Sequence, residues 1–330
     1  MMATAHAGHA HGGGHTHAHA TADSDRRWLG AALALIAAFM LGEVVAGVIA
    51  GSLALLSDAA HMLTDAASIA LALWAIRLAA RPAAGRMTFG WKRVEILSAQ
   101  ANGITLLLLS AWLGYEAVRR LVHPPAVTGA LVLVTALIGV VVNLAASWMI
   151  SRANRSSLNV EGAYQHILND LFAFIATAVA GTVILVTGFA RADAIASLVV
   201  VVLMVRAGIG LVRASSRIFL EAAPADLDPT EIGQAMAAQD GVVEVHDLHI
   251  WEITSGSPAL SAHVLVETGR DCHAVREALA GWLHDEHHIE HATLQVDHAR
   301  PELIAFGVRD PAHCEASHGP THVNPNSAHL

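Results

Sequence analysis

The sequence predicts an α-helical membrane protein with six transmembrane helices and a C-terminal cytoplasmic α+β domain. Three observations carry that prediction. The 330-residue chain is 54% hydrophobic and only 14% charged, whereas a soluble domain carries about 25% charged residues. Its mean hydropathy is +0.49. Six apolar stretches lie ahead of Arg217, each long enough for the about 20 residues that cross a bilayer. The remainder, about 110 residues, is long enough for one small domain. The expected division is a disordered His-rich tail over 1–25, a membrane domain over 26–217, a cytoplasmic domain over 218–300 and a flexible tail over 301–330.

Taken in order, residues 1–25 are low in complexity, with His6, His9, His11, His15, His17 and His19 spaced by Ala, Gly and Thr. Such a tract cannot bury enough apolar surface to fold. It is either a loose metal-binding tail or a polar tail without a defined role. It lacks the apolar core of a signal peptide. The six spans are expected over 28–50, 53–79, 94–122, 127–150, 160–187 and 190–212. Gly51 and Ser52 make the first turn, a basic loop follows Arg81 and Pro82, and a short polar loop covers 151–159. Glu43, Asp58 and Asn143 are polar residues inside spans, each readable as a proton relay or as a packing group.

After Glu221 the composition turns polar. Asp228 followed by Pro229 reads as an N-cap and first helical position. Residues 242–253 alternate as a strand and 260–267 read as its hairpin partner. An amphipathic helix over 271–287 and a last strand over 292–297 complete an α-β-β-α-β order, a small open-faced sandwich. The stretch after Pro301 is polar and loose by composition.

Orientation follows from basic residues, which concentrate on the cytoplasmic side. With both termini inside, the inner flanks hold Arg26, Arg27, Arg81, Arg86, Lys92, Arg93, Arg152, Arg155, Arg213 and Arg217, and the outer flanks only Arg119, Arg120 and Arg191. The formal charge of −9 and the lack of a basic stripe argue against nucleic acid as a partner. Two late cysteines, Cys272 and Cys314, supply neither a disulfide framework nor a Cys-x-x-Cys metal motif.

Two steps carry chemistry: His61-x-x-x-Asp65 and His166-x-x-x-Asp170. Residues i and i+4 share one face of a helix, so each step presents an imidazole beside a carboxylate. Two such helices facing each other offer two nitrogens and two oxygens to one point, a tetrahedral set suited to Zn²⁺. A single pair would read best as a polar contact between packed helices. Two copies at membrane depth favour a metal pathway, because ionisable groups there are costly. Small residues flank both steps, Ala59, Ala60, Ala66 and Ala67 in one and Gly162 and Ala163 in the other, and small residues permit close approach of helices.

Five segments together resemble the cation diffusion facilitator family, in its zinc-transporting branch. They are Ser57 to Asp65 (SDAAHMLTD), Phe89 to Glu95 (FGWKRVE), His166 to Asp170 (HILND), His246 to Trp251 (HDLHIW) and Thr293 to Asp297 (TLQVD), spread across roughly residues 28–300. The resemblance implies a metallochaperone-like, ferredoxin-like cytoplasmic domain, a homodimer, and export of a divalent metal against protons across the cytoplasmic membrane of a bacterium. It implies a transport site at His61, Asp65, His166 and Asp170, with zinc as the ion. It also implies a regulatory zinc site in the cytoplasmic domain at His246, His263 and Asp297, with His249, His273 and His291 as candidates for the remaining ligand. Of these His291 completes the expected set. Some members carry a further site in the loop after the second span, with a His after Phe-Gly. Trp91 stands there, so that site is expected to be absent.

Two rival classes are a membrane metal sensor that moves nothing and an intramembrane metalloenzyme. The enzyme is disfavoured because no His-Glu-x-x-His step occurs and all four candidate ligands are used in closed coordination. An ATP-driven pump lacks its phosphate-binding loop.

Overall fold

The computed structural model describes residues 16–50, 53–123, 129–189, 191–299 and 319–325. These residues form α1 (Thr16–Ala50), α2 (Leu53–Ala79), α3 (Val94–Val122), α4 (Gly129–Ile150), α5 (Leu158–Thr187), α6 (Ala192–Phe219), α7 (Pro229–Ala237), β1 (Val242–Thr254), β2 (Ser257–Val266), α8 (Cys272–His287), β3 (His291–His298) and β4 (His322–Val323). They divide into two compact units. One holds 1–78, 101–155 and 159–209, the other 79–100, 156–158 and 210–330.

The first unit is a helical bundle with lipid-facing walls. Among the described residues, α3 to α6 are long and apolar enough to cross a membrane. α1 and α2 occupy the positions of the first two expected spans. α4 shows how its sequence makes a two-faced span. Ala136, Gly139, Asn143, Ala146 and Ile150 are buried, while Val134, Leu137, Val141, Leu144 and Trp148 are exposed. The two sets alternate at steps of three and four, the spacing of opposite helix faces. Both faces are largely apolar, as a helix between protein and lipid requires. The inner set joins a core built from α1, α2, α4 and α5, with Leu29, Ile36, Ile69, Ala146, Ala163 and Ile167 among its members. At Gly139, α4 packs against the ring of Phe174 on α5, which a methyl group there would overlap.

One end of this unit carries polar and aromatic anchors. Trp28 packs edge-on against Trp148, their centroids 5.8 Å apart, and the Arg152 guanidinium lies 5.0 Å from the Trp148 ring. Asp25 accepts the Asn154 amide at 2.7 Å and so ties the start of the α1 apolar face to the α4–α5 loop. Burial pushes the Asp25 carboxyl up from its ordinary value, and the Asn154 hydrogen bond opposes that rise. Arg155 donates to both oxygens of Glu161, at 2.9 and 3.2 Å, and stacks 3.9 Å from the Tyr164 ring. Aromatic and basic residues of this kind collect where a bilayer meets water.

The second unit contains the α+β domain. Its sheet runs β3-β2-β1-β4. β1 and β2 form an antiparallel hairpin, and β2 connects through α8 to the parallel strand β3. Asp228 caps α7 through the Thr230 amide at 2.8 Å, with Pro229 in the first turn, as its sequence predicts. Asp271 does the same for α8 through the amides of His273 and Ala274. The core between sheet and helices holds Ile232, Met236, Val245, Val264, Leu279 and Leu283.

The sequence offers no strand signal after Pro301, yet His322 and Val323 pair with Val245 and Glu244 as a fourth strand. The buried His322 ring fills the space beside Gly233 of α7, where any Cβ would collide with it. The hairpin turn meets the loop and helix ends belonging to the same unit. Thr254 Oγ1 donates to the Lys92 carbonyl at 3.3 Å, and Ser255 Oγ accepts the Leu158 amide at 3.2 Å. Ser157 donates to Glu95, and Arg93 pairs with Glu221 at 3.2 Å.

Gly139 gives a direct test of the α4–α5 packing. Gly139→Ala is expected to destabilise the bundle by the about 1–3 kcal/mol that overpacking costs. Gly30→Ala, whose added methyl meets nothing within 4 Å, should not. Heating in detergent followed by size-exclusion chromatography measures both; equal midpoints would contradict the close approach.

Candidate metal centre

α2 and α5 bring charged groups to one buried point. Asp65 is 0% exposed, His166 1% and Asp170 4%. His166 Nε2 lies 3.0 Å from Asp65 Oδ1 and 3.9 Å from Asp170 Oδ2. One ligand atom from each of the three falls within 4.8 Å of the others. A tetrahedral zinc with arms of about 2.0–2.1 Å has ligand atoms roughly 3.3–3.4 Å apart, and the two measured separations straddle that value. The local reason is helical periodicity. His166 and Asp170 share a face of α5, and the flanking Ala163 and Ile167 belong to the apolar core. Ala66 and Ile69 play the same part beside Asp65 on α2.

Two carboxylates at membrane depth are expensive unless opposed by positive charge. An imidazole Nε2–H donated to Asp65 offsets part of that cost, and a divalent cation offsets more. The donor chemistry, nitrogen and carboxylate oxygen without sulfur, fits a borderline-hard divalent ion. His61 lies on α2 one turn before Asp65, and its side chain is outside the described residues. Two buried amides bond to their own helices. Asn169 Nδ2 donates to the Gln165 carbonyl at 2.7 Å, and Asn143 Nδ2 to the Gly139 carbonyl at 3.1 Å. Asn143 is buried on α4, and this bond to its own helix is compatible with either of its two sequence readings. The side chains of Glu43 and Asp58 are outside the described residues.

The cytoplasmic candidates are only partly brought together. His246 of β1 and His263 of β2 are register partners, with rings 5.4 Å apart and nearly perpendicular at 84°. Glu244, which sequence reasoning passes over, comes within 3.0 Å of His246 Nδ1. The β3 residue opposite His263 is Gln295, whose Nε2 donates to Asp297 at 3.1 Å. His291 pairs with Ala259, four residues down β2 from His263, which is about 13 Å along a strand. The register thus separates His291 from His263. A β-bulge explains the outward turn of His249. Asp247 adopts φ 51° between the pairs at His246 and His249, and its carboxylate meets the exposed His249 at 3.1 Å. His273 sits in the first turn of α8.

Among the described residues, Asp65, His166 and Asp170 are the only group of three metal-ligating side chains that converge. Of the terminal histidines, His6, His9, His11 and His15 lie outside the described residues. His17 and His19 fall on α1, with side chains that are not described.

Sequence reasoning also missed Asn159. It is fully buried on α5, and its Nδ2 donates to the Ala72 carbonyl of α2 at 2.9 Å. The available signal was a polar side chain at the start of an apolar run, seven residues before His166.

Comparison with known proteins shows the family to which the chain belongs. The family description "Cation efflux transmembrane domain" matches residues 29–220, and "Cation efflux protein, cytoplasmic domain" matches 224–299. The chain is 37% identical over 281 residues to the cadmium, cobalt and zinc/H(+)-K(+) antiporter of Bacillus velezensis, covering 84% of this chain and 90% of that protein. It is 39% identical over 293 residues to the metal cation efflux system protein CzcD of Cupriavidus metallidurans, covering 88% and 90%. It is 36% identical over 291 residues to the zinc transporter ZitB of Escherichia coli, covering 88% and 93%. Two family descriptions that together span the membrane helices and the α+β domain, with relatives matched over nearly their full lengths, make the chain an integral membrane protein of the cation efflux family, whose members are metal transporters and not enzymes.

Proposed function

We propose that the protein exports Zn²⁺ from the cytoplasm in exchange for protons, through the site formed by Asp65, His166 and Asp170 with His61 as fourth donor. The observation that carries this reading is the convergence of three buried donor groups from two membrane helices. The names of its relatives, which include zinc transporters and a cadmium, cobalt and zinc antiporter, support the choice of ion. Ligand type alone does not fix the selectivity against Co²⁺ or Cd²⁺.

Exchange follows from acid–base chemistry. Zinc needs a neutral imidazole and ionised carboxylates, so binding displaces protons. An imidazole with an ordinary pKa near ~6.5 changes charge in the physiological range. A site open to the cytoplasm loses protons and takes zinc. Open to the more acidic side, it is protonated at His61 and His166, and zinc leaves. The protonated site then returns. Lower pH on the receiving side therefore speeds release, and lower pH on the cytoplasmic side slows uptake. Both termini lie in the cytoplasm in this reading, which rests on the excess of Arg and Lys at the inner flanks, and the membrane is the bacterial cytoplasmic one.

Vesicles with an acidic lumen and the cytoplasmic face outward should accumulate Zn²⁺. Asp65→Asn and Asp170→Asn are each expected to reduce that flux to background, beyond the about 10–100-fold loss that follows removal of groups supporting a ligand. Zinc movement at the normal rate by either variant would refute the assignment. With equal pH on both sides, flux should fall as the pH is lowered and protons compete with zinc for the donors; a rate insensitive to pH would remove the proton from the cycle.

The cytoplasmic domain takes a second part in the proposal. We assign His246, His263 and Asp297 to a regulatory zinc site, with the protein working as a homodimer. The support is the pairing of His246 with His263 across β1 and β2 and the match to the family's cytoplasmic domain. Joint replacement His246→Ala and His263→Ala should raise the zinc concentration needed for half-maximal flux while leaving its proton dependence intact. Superimposable zinc dependence would end the regulatory claim.

A further inference from the structure

The contact between α2 and α5 has two rungs. The upper rung is Asp65 with His166 at 3.0 Å, and the lower is the Ala72 carbonyl with Asn159 Nδ2 at 2.9 Å. Ala72 follows Asp65 by seven residues, and Asn159 precedes His166 by seven. Seven residues are two helical turns, about 10.5 Å of rise, so both rungs lie on the same two faces of an antiparallel pair. All four residues are buried to 1% exposure or less. Within one turn of the lower rung along the two helices, Ala75, Val160 and Ala163 are buried. Such packing brings backbones close but has little directional preference along the axis.

We propose that Asn159 is a positioning residue that fixes the axial register of α5 against α2, and through it the size of the metal site. The inference rests on the reading of Asp65, His166 and Asp170 as the transport site. Ala72 lies within α2, where its carbonyl has one lone pair engaged by the helix and a second available to an outside donor. The Asn159 amide therefore adds an anchor between the two helices without breaking either. Its leverage comes from the tolerances involved. Metal–ligand distances hold to within about 0.2 Å, while sliding one helix past the other by a single residue moves it about 1.5 Å. Zinc, the smaller ion, loses more than cadmium when the donors spread apart. A register held from two turns away thus acts on selectivity as well as on affinity.

The test reads metal binding to the purified full-length protein, counting only the binding that an Asp170→Ala variant lacks. Asn159→Leu keeps the bulk and removes the donor, and Asn159→Ser keeps a shorter donor. Zn²⁺ and Cd²⁺ are titrated separately against a competing indicator. Asn159→Leu should weaken Zn²⁺ binding about 10-fold or more and lower the Zn²⁺-to-Cd²⁺ affinity ratio several-fold, with Asn159→Ser falling between it and the unaltered protein. A ratio equal to that of the unaltered protein in both variants, whether the two affinities stay put or fall together, would overturn the proposal, since general loosening lowers both metals alike. Zinc flux by the unaltered protein is measured beside it. Its absence would defeat the transport reading, while the binding ratio would still decide the role of Asn159.

Discussion

The contact of His166 with Asp65, 3.0 Å between two buried side chains of α5 and α2, is the constraint on which the rest of the structure depends. Desolvating a carboxylate costs several kcal/mol in practice, and here a second one, Asp170, lies beside it. A fold that only needed stability would place leucine at these positions. The bundle accepts the expense and surrounds it with small and aliphatic side chains such as Ala66, Ile69, Ala163 and Ile167. Those residues belong to one apolar core that keeps the polar groups buried. The site is therefore a locally unfavourable arrangement held in place by its apolar surroundings, which is what a reversible ion site requires.

The second unit carries the polar chemistry that the bundle excludes. Its hairpin β1–β2 is long, and its two ends have different surroundings. The middle holds His246 and His263 side by side. The turn at Thr254 and Ser255 bonds to the backbone at Lys92 and Leu158. Leu158 is the first residue of α5, so a hydroxyl from the α+β domain satisfies one of the amides that a helix N-terminus leaves open. The strand β4 adds a further layer, pairing with the outer edge of β1 and burying His322 against α7.

Much of this was legible in the sequence, for identifiable reasons. The two His-x-x-x-Asp steps were readable because helical periodicity places i and i+4 on one face, and the apolar runs around them fixed the helices. Asp228-Pro229 announced its helix through capping chemistry that is local to the chain, and α8 was readable from its amphipathic pattern. Boundaries were less legible where a helix outlasts the membrane. α6 continues to Phe219 through Arg213 and Arg217, and α1 begins at Thr16, ahead of the apolar stretch. Hydropathy reads the bilayer, not the helix. β4 was invisible because two residues carry no alternation and gain their structure from β1. The bulge at Asp247 and the separation of His291 from His263 were invisible for the same reason: strand register is a tertiary property. Asn159 was read into the polar loop over 151–159, because its partner, a backbone carbonyl on another helix, leaves no mark in composition.

The most direct test of the account is a structure of the zinc-loaded protein with the metal located by its anomalous scattering. The account predicts a peak between α2 and α5, within about 2.0–2.2 Å of an oxygen of Asp65, an oxygen of Asp170 and Nε2 of His166. Zinc bound elsewhere in the protein, with no peak between those three side chains, would contradict it.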